Sequence, residues 1–249
     1  MTSQNLLELT DLEVVVGRGT SEENKILGKL SLKIKPGDFI CLLGGNGADK
    51  STLLNVLAGA IQPTSGKILH AGKDISKESE VKRSSYIARV FQDPKLGTAP
   101  RMTVAENLLL AAKRGQKRGL KENIPAFKEA LEKVNPDLAG KLDLPVDQLS
   151  GGQRQALSFV MATYNKPELL LLDEHIAALD PRYSRKLMEA TDEQIRAKKI
   201  TAVMITHHME DALKYGNRLL VLDHGQISHD YQGQAKQDLT LQDLAALFD

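Results

Sequence analysis

One run of residues near the start of the chain has the types and the spacing to bind phosphate groups. The run is Gly44, Gly45, Asn46, Gly47, Ala48, Asp49, Lys50, Ser51 and Thr52. It matches the pattern G-x-x-x-x-G-K-S/T except that Asp49 replaces the second glycine. In such a loop, successive backbone N–H groups surround the phosphates, the lysine reaches the terminal oxygens, and the first hydroxyl residue binds Mg²⁺. The run therefore predicts a nucleoside triphosphate site.

Two carboxylates follow an apolar run further along the chain. Residues 169–172 are all leucine, and Asp173 and Glu174 come directly after them. Acids at the carboxyl end of a buried parallel strand face the crevice where ligands bind. Asp173 therefore suits a place among the Mg²⁺ ligands, and Glu174 suits polarising an attacking water. Because many strands end in Asp-Glu, the pair acquires this meaning only from its position after the phosphate loop.

A third motif consists of Ser150, Gly151, Gly152 and Gln153, which lead into helix-forming residues. Serine and two glycines at a helix start expose backbone N–H groups, so they form a second anion-binding site without a lysine of its own. A simple ATPase has no use for such a site. At this point the chain resembles the ATP-binding subunits of ABC transporters, because residues 149–155 match the signature sequence of that family.

The resemblance implies roles for further residues. Gln92 matches the glutamine that contacts Mg²⁺ and the attacking water, Asp180 lies in the loop that crosses the dimer interface, and His207 matches the histidine that contacts the γ-phosphate. Val16 aligns with the residue that packs on the adenine, where the family usually has an aromatic side chain. The catalytic residues would be Glu174, His207 and Gln92, and the metal ligands would be Ser51, Gln92 and Asp173.

The resemblance also implies cofactors and partners. Two copies would close head to tail as a homodimer, with ATP and Mg²⁺ between the phosphate loop of one copy and Ser150 of the other. The chain would act at the cytoplasmic face of the membrane, bound near Gln92 and the helical insertion to the permease subunits of a bacterial importer. It would serve an extracytoplasmic solute-binding protein indirectly, and nucleic acid is not expected as a partner. The alternatives are a nucleotide-silent docking or regulatory subunit and a soluble ABC protein outside transport.

Composition and element order predict one α/β domain. The 249 residues carry a formal charge of +1, so no global field favours nucleic acid, and the single cysteine, Cys41, excludes an internal disulfide. No apolar run has the ~20 residues needed to cross a bilayer, which predicts a cytoplasmic location. We expect a P-loop NTPase fold with a parallel-sheet core, an N-terminal antiparallel β subdomain and an inserted helical subdomain. The core would span residues 1–92 and 161–249, and the helical subdomain residues 93–160.

The predicted elements follow from hydrophobic periodicity and turn residues. Strands are expected at residues 12–16, 30–34, 38–43, 66–70, 169–172, 201–205 and 218–222, and helices at 51–58, 153–164, 181–197 and 209–215. Residues 103–134 are helix-forming, with breaks near Gly115 and Gly119 and a stop at Pro136. The polar tail after residue 225 is expected to end in a helical segment at 239–248. The basic segment 113–121 is typical of a solvated linker, with binding to lipid headgroups or RNA as its alternative.

Asp49 determines whether this copy can hold ATP. Its position predicts a tight turn with a positive φ, which glycine adopts most easily and aspartate tolerates better than most residues. A carboxylate about 4 Å from a phosphate oxygen costs about 4 kcal/mol at an effective dielectric of about 20. We therefore expect an intact fold with weak or absent ATP binding. A single lesion in an otherwise complete ATPase explains the remaining motifs better than a subunit that has lost its function throughout.

Overall fold

The computed structural model of the chain describes residues 5–45, 47–113 and 123–248. The strands are β1 (Leu7–Val16), β2 (Asn24–Ile34), β3 (Phe39–Leu43), β4 (Ser65–His70), β5 (Lys73–Asp74), β6 (Ile87–Val90), β7 (Leu169–Asp173), β8 (Thr201–Ile205), β9 (Arg218–Asp223) and β10 (Gln226–Gln232). The helices are α1 (Lys50–Ala58), α2 (Glu80–Arg83), α3 (Val104–Ala112), α4 (Ile124–Glu132), α5 (Pro136–Ala139), α6 (Gly151–Thr163), α7 (Pro181–Lys198), α8 (Met209–Lys214), α9 (Gln234–Gln237) and α10 (Leu241–Ala245). Over the described ranges, no helix combines the length and the apolar character needed to span a membrane.

The chain divides into two compact units, residues 1–83 with 201–249 and residues 84–200. In the first unit, one sheet is antiparallel: β1 lies between β2 and β4, and β5 pairs with β4. Leu7 and Leu9 of β1 are buried, and the residues between and after them are more exposed. This alternation is typical of a strand with one buried face. The prediction of an antiparallel N-terminal layer is confirmed, although β1 and β2 each begin several residues earlier than expected.

A second sheet in the first unit positions the phosphate loop. β3 lies between β8 and β9 and runs parallel to both, with Leu42 paired to Ile205 on one side and to Leu220 on the other. All residues of β3 are buried, as its unbroken apolar sequence predicts. Parallel strands end at the same edge of a sheet, and ligands bind outside that edge. The loop that connects β3 to α1 therefore begins where an α/β fold binds its ligands.

The polar tail contains a strand that periodicity did not predict. Residues 226–232 form β10, an antiparallel partner of β9, and most of their side chains are exposed. The strand carries no apolar stripe because it lies at the edge of the sheet. Its place is stabilised by Arg218 of β9, which bonds both carboxylate oxygens of Asp230 at 2.8 and 2.6 Å. The predicted helical end at 239–248 is shorter than expected, with α10 limited to Leu241–Ala245.

The carboxyl end of α1 is stabilised by a buried arginine. Arg83 has no exposed surface. It donates to the carbonyl oxygens of Val56 and Leu57 at 2.7 and 2.9 Å and to that of Ile75 at 2.6 Å. A cation near the last carbonyls of a helix satisfies acceptors that have no intrahelical partner and complements the helix dipole. The helix that follows the phosphate loop is therefore held at the end opposite to the loop.

In the second unit, β6 and β7 form a parallel pair, and the other elements that the structure describes there are helical. Ile87 pairs with Leu169 and Val90 with Leu172, so both strands present their carboxyl ends at one edge. The signature helix α6 and the following α7 begin within two residues of the predicted starts. Gln155 of α6 donates to the carbonyl oxygen of Phe91 at 2.9 Å, which attaches this helix to the end of β6.

The helical part of the second unit differs from expectation at one proline. Pro136 does not merely end the preceding helical region, because α4 ends at Glu132 and Pro136 is the first residue of the short helix α5. Proline is tolerated at this position since the first helical N–H groups need no partner inside the helix. The predicted breaks at Gly115 and Gly119, and the basic segment 113–121 except for Lys113, lie outside the described residues. The predicted helical subdomain, 93–160, falls within the second unit, and its separate boundary stays a prediction.

Candidate functional site

The phosphate loop places its lysine over its own backbone. Lys50 is the first residue of α1, is only 7% exposed, and donates from Nζ to the carbonyl oxygens of Gly44 and Gly45 at 2.7 and 2.9 Å. Ala48 is buried beneath the loop, whereas the hydroxyl residue Ser51 is exposed. Thr52 is half-buried on the next position of the helix. The ammonium group therefore lies on the loop at the amino end of α1, where an anion is favoured by the helix dipole.

Asp49 adopts the backbone conformation that the loop pattern reserves for glycine. Its φ is 61° and its ψ is 28°, and Gly47 also has a positive φ, 79°. Aspartate enters this left-handed region more readily than most residues, so the turn forms in spite of the substitution. The Asp49 side chain makes no capping hydrogen bond to α1, and partial burial raises the pKa of its carboxyl group. The loop thus keeps its shape and gains an acidic group, while Asn46 lies outside the described residues.

His207 and Val16 belong to the same unit as the loop. His207 is exposed and follows β8 by two residues, and β8 is the parallel neighbour of β3. The carboxyl ends of β3 and β8 therefore bring the histidine and the phosphate loop to one edge of the sheet. Val16 is the last residue of β1, pairs with Asn24, and is 48% exposed. An exposed aliphatic side chain is available for contact with a flat apolar group.

The second unit brings Glu174 and Gln92 together. Asp173 ends β7 and is 9% exposed, and Glu174 follows with a φ of 46°. A positive φ at a non-glycine residue is uncommon and typical of sites where the surrounding structure imposes it. The Gln92 side chain, two residues beyond β6, donates to Glu174 Oε2 at 3.4 Å. The two parallel strands thus present the predicted catalytic acid and its glutamine neighbour at the same edge.

Two residues near these acids were not singled out from the sequence. Arg89 on β6 donates from Nη2 to Asp173 Oδ2 at 2.5 Å, and its guanidinium lies 4.7 Å from the centre of the Phe91 ring. His175 is 2% exposed, stacks on Phe159 and lies 3.3 Å from Thr191 Oγ1, and burial lowers its pKa to about 4. Its Nδ1 has no hydrogen-bond partner among the described residues. The sequence could have pointed to both residues. Arg89 is a charged residue inside an otherwise apolar strand, and His175 is a titratable residue next to Glu174.

The signature motif forms the amino end of α6. Ser150 and Gln153 make a reciprocal capping box, in which each side chain accepts from the backbone N–H of the other at 3.3 Å. Ser150 and Gly151 are exposed, and a Cβ on Gly151 would meet nothing within 4 Å. A Cβ on Gly152 would instead lie 2.7 Å from the ring of Tyr183. Packing inside the chain therefore explains glycine at position 152 but not at position 151.

Tyr183 also contacts the Asp180 turn. Asp180 caps α7, where its Oδ1 accepts from the backbone N–H of Tyr183 at 3.0 Å. The Tyr183 hydroxyl bonds to the side chain of Asn135. One tyrosine thus lies between the signature glycines and the turn for which Asp180 was singled out. Within the second unit, the Tyr183 residue therefore links the Asp180 turn to Gly152 of the signature motif.

Residues 27–177 match the sequence family described as ABC transporter, which is more than half of the chain. The chain belongs to the ABC transporter family. It is 41% identical to the tyrosine transport ATP-binding protein of Clostridioides difficile (strain R20291), across 98% of this chain and 99% of that one. It is 37% identical to the spermidine/putrescine import ATP-binding protein PotA of Spiroplasma citri, across 90% of this chain but only 60% of that longer protein.

Solved structures of ABC transporter cassettes share the fold. One, an ATP-binding cassette in its ADP conformation, superposes with a TM-score of 0.79 at 26% identity and covers 98% of this chain and 97% of that one. Another is a dimeric cassette in a post-hydrolysis state with ADP and Pi, with a TM-score of 0.77, 25% identity and coverage of 91% and 98%. The predicted P-loop NTPase fold is confirmed, and the ABC transporter family to which this cassette belongs hydrolyses ATP.

Proposed function

We propose that this cassette is the ATP-binding subunit of a bacterial importer and that Asp49 lowers its affinity for ATP. The observation that carries the first part is Lys50, whose ammonium lies on the loop backbone at the amino end of α1. The relatives named as import ATP-binding proteins support the transport role. The relative named for tyrosine transport matches over nearly its whole length, so an amino acid is the cargo class we favour. The whole chain, residues 1–249, would act as one ATP-binding domain.

The loop residues suit a triphosphate. The proposed nucleotide-binding residues of this region are Val16, Gly44, Gly45, Asn46, Gly47, Ala48, Asp49, Lys50, Ser51 and Thr52. Lys50 would exchange its two carbonyl acceptors for terminal phosphate oxygens, a stronger, charge-assisted interaction. The left-handed backbone at Gly47 and Asp49 turns the chain tightly, as a loop that surrounds phosphates requires. Val16 would contact the adenine with its exposed side chain.

Oxygen ligands for Mg²⁺ are also present. Magnesium is usually bound through one or two carboxylates together with substrate phosphates, and Asp173 is such a carboxylate. Among the described residues, no group of three or more His, Cys, Asp and Glu side chains forms a self-sufficient metal cage. That finding suits a metal that arrives with the nucleotide. We propose Ser51, Gln92 and Asp173 as the protein's ligands.

Hydrolysis would depend on positioned groups rather than on covalent chemistry. When bound, ATP would supply the phosphoryl group, and Mg²⁺ would neutralise the charge on its oxygens. Glu174 would orient the attacking water and accept its proton, and the hydrogen bond from Gln92 restrains the Glu174 carboxylate. His207 would contact the γ-phosphate from the edge that its strand shares with the loop.

A second cassette would complete the nucleotide site. Gly151 is exposed and has open space around it, so glycine there is explained by an approaching group from outside the chain. We propose that Ser150, Gly151, Gly152 and Gln153 of one copy meet the ATP bound to the other, with Asp180 at the same interface. The solved dimeric cassette with ADP and Pi supports a dimer, and the head-to-tail arrangement of its two copies is part of our proposal.

A cleft in the second unit suits the permease. The cleft has a volume of about 350 Å³, and Phe91, Leu96, Leu110, Ser158 and Met161 are among its lining residues. Leu96 and Leu110 are 71% and 49% exposed and line the same cleft, so they form an exposed apolar patch there. An apolar helix of the permease would cover them. Such docking would hold the cassette at the cytoplasmic face of the membrane, and the solute-binding protein would act only through the permease.

Asp49 favours a second candidate, a docking subunit that assembles without turnover. The carboxylate stands at the turn where phosphates would pass, and like charges about 4 Å apart cost about 4 kcal/mol at an effective dielectric of about 20. The ATPase motifs elsewhere in the chain are complete, which favours an ATPase with one defect over an inactive subunit. Both candidates predict weak ATP binding by the chain as it stands.

ATP binding by the unchanged chain tests the impairment, and ATP hydrolysis by the Asp49→Gly form separates the two candidates. We expect Asp49→Gly to bind ATP and to hydrolyse it when the cassette is assembled with its permease. The matched controls are Asp49→Gly/Lys50→Ala, which should lose binding, and Asp49→Gly/Glu174→Gln, which should bind without turnover. Micromolar ATP affinity of the unchanged chain would contradict the impairment. Binding without hydrolysis by Asp49→Gly would favour the docking subunit.

A further inference from the structure

An unassigned ion pair in the second unit joins a strand arginine to the proposed metal ligand. β6 and β7 are parallel, and Arg89 pairs in register with Leu171. Paired residues of neighbouring strands point to the same face, and residues two apart on one strand share a face. Asp173 is two residues after Leu171, so it lies on the face of Arg89 and within reach of that long side chain. The strand register therefore brings the Arg89 and Asp173 side chains together, so their contact does not depend on rotamer choice alone.

The pair is close and poorly hydrated. Arg89 Nη2 lies 2.5 Å from Asp173 Oδ2, and each side chain is only 12% exposed. The guanidinium is also fixed from one side by the ring of Phe91, 4.7 Å away. Charge-assisted bonds of this kind are strong, and low exposure reduces their screening by water and salt. Arg89 thus neutralises the carboxylate that our proposed function assigns to the metal.

We propose that Arg89 is a positioning residue that weakens the binding of free divalent cations to Asp173. A cation bound at Asp173 would lie close to the guanidinium, and the repulsion between the two lowers its affinity. A metal that arrives with nucleotide brings phosphate charge that offsets this repulsion. Arg89 would therefore restrict the site to the metal–nucleotide complex. This inference rests on the assignment of Asp173 as a metal ligand.

A purely structural role makes a different prediction. If Arg89 only stabilised the strand pair, its replacement would lower stability and would leave cation affinity unchanged or lower it. If it acts as a counterion, an uncharged replacement raises cation affinity. Only the counterion role therefore predicts a rise in cation affinity in an uncharged variant.

Titration with Mn²⁺ alone, followed by electron paramagnetic resonance on the otherwise unchanged chain, tests the proposal. Arg89→Gln should bind Mn²⁺ at least about tenfold more tightly than the unchanged chain, because the competing charge is gone. Arg89→Lys keeps the charge and should stay weak. Arg89→Gln/Asp173→Asn should lose the gain, which locates the metal at Asp173.

Arg196→Gln is the matched control. Arg196 pairs with Asp192 at 2.9 Å on α7, where the arginine is 70% and the aspartate 17% exposed, so its replacement also releases a carboxylate. Its Mn²⁺ affinity should equal that of the unchanged chain. Arg89→Met provides a second uncharged variant of similar shape, and thermal unfolding shows which variants are folded.

Three results would overturn the proposal. They are an unchanged or weaker Mn²⁺ affinity in the folded uncharged variants, a gain that survives Asp173→Asn, and failure of both Arg89→Gln and Arg89→Met to fold. The titration contains no nucleotide, so Asp49 does not affect it. Failure of Asp49→Gly to bind ATP would instead count against the proposed function and leave this result standing.

Discussion

The chain carries two helix amino ends for which we propose phosphate binding, and they differ in charge as well as in backbone conformation, left-handed at Asp49 and extended at Ser150. At α1, Lys50 lies on the loop, but Asp49 places a carboxylate in the turn. At α6, Ser150 and Gln153 cap the helix with neutral groups, and Gly151 is open to the outside. The comparison teaches that a backbone can keep a binding conformation while a single side chain changes the electrostatics of the site.

The largest expected effect tests charge against backbone at position 49. Asp49→Asn keeps a residue that tolerates a positive φ but removes the charge, so it should recover most of the roughly thousandfold affinity that about 4 kcal/mol represents. Asp49→Ala removes the charge and adds backbone strain, so it should recover less. Calorimetric titration with ATP measures both against Asp49→Gly. An Asp49→Asn form as weak as the unchanged chain would show that the backbone, not the charge, is at fault.

Acid should weaken the unit that carries the signature helix. His175 has a pKa of about 4 in the folded chain and about 6.5 when unfolded, so the unfolded state binds the extra proton first as the pH falls. The contribution of neutral His175 to the free energy of unfolding is therefore complete above about pH 6.5. It is lost by about pH 4, which lowers the free energy of unfolding by about 3 kcal/mol.

The effect of pH on stability is measured by chemical denaturation between pH 4 and 8. His175→Phe should keep the stacking on Phe159 and should flatten this part of the profile. An unaltered pH profile in that variant would assign the acid sensitivity to other groups.

The two signature glycines should respond differently to a single methyl group. Gly152→Ala would drive its Cβ against the ring of Tyr183, which costs about 1–3 kcal/mol of stability. Gly151→Ala meets nothing in the chain and should cost little. Urea denaturation compares them, and Tyr183→Ala should make Gly152→Ala tolerable. Equal losses at both positions would show that packing does not distinguish them.

The smallest effect concerns the neutral cap itself. Ser150→Ala removes the acceptor for the Gln153 N–H and should cost about 1 kcal/mol. Ser150→Asn, another good cap, is the control and should restore most of that stability. Thermal unfolding measures both variants. A stability unchanged by Ser150→Ala would mean that water replaces the cap at no cost.

Much of the fold was predictable because the relevant signals are local. The apolar run of β3 and the periodicity of α7 predicted their elements to within a residue or so. β10 was not predicted because an exposed edge strand needs no apolar stripe. It forms as the antiparallel partner of β9, which precedes it by a short turn. The role of Pro136 depended on whether a new helix begins there, which periodicity over so few residues cannot show.

The residues of the candidate site also divide into those that the local sequence predicted and those that it did not. The phosphate loop, the Asp173–Glu174 pair and the signature are contiguous in sequence, so their residue types and spacing identified them. Arg89 lies 84 residues from Asp173, and only the parallel register of β6 and β7 makes them neighbours. His175 likewise gains its lowered pKa from burial, and it lies against Phe159 of α6 and Thr191 of α7.

The sequence by itself determined the family motifs, their order and the acidic substitution in the phosphate loop, because each is a matter of residue type and local spacing. The tertiary structure decided which residues modify those motifs. Arg89 neutralises Asp173, and Tyr183 occupies the space beside Gly152. Strand register and helix packing create these contacts between residues far apart in the chain, so no local pattern contains them.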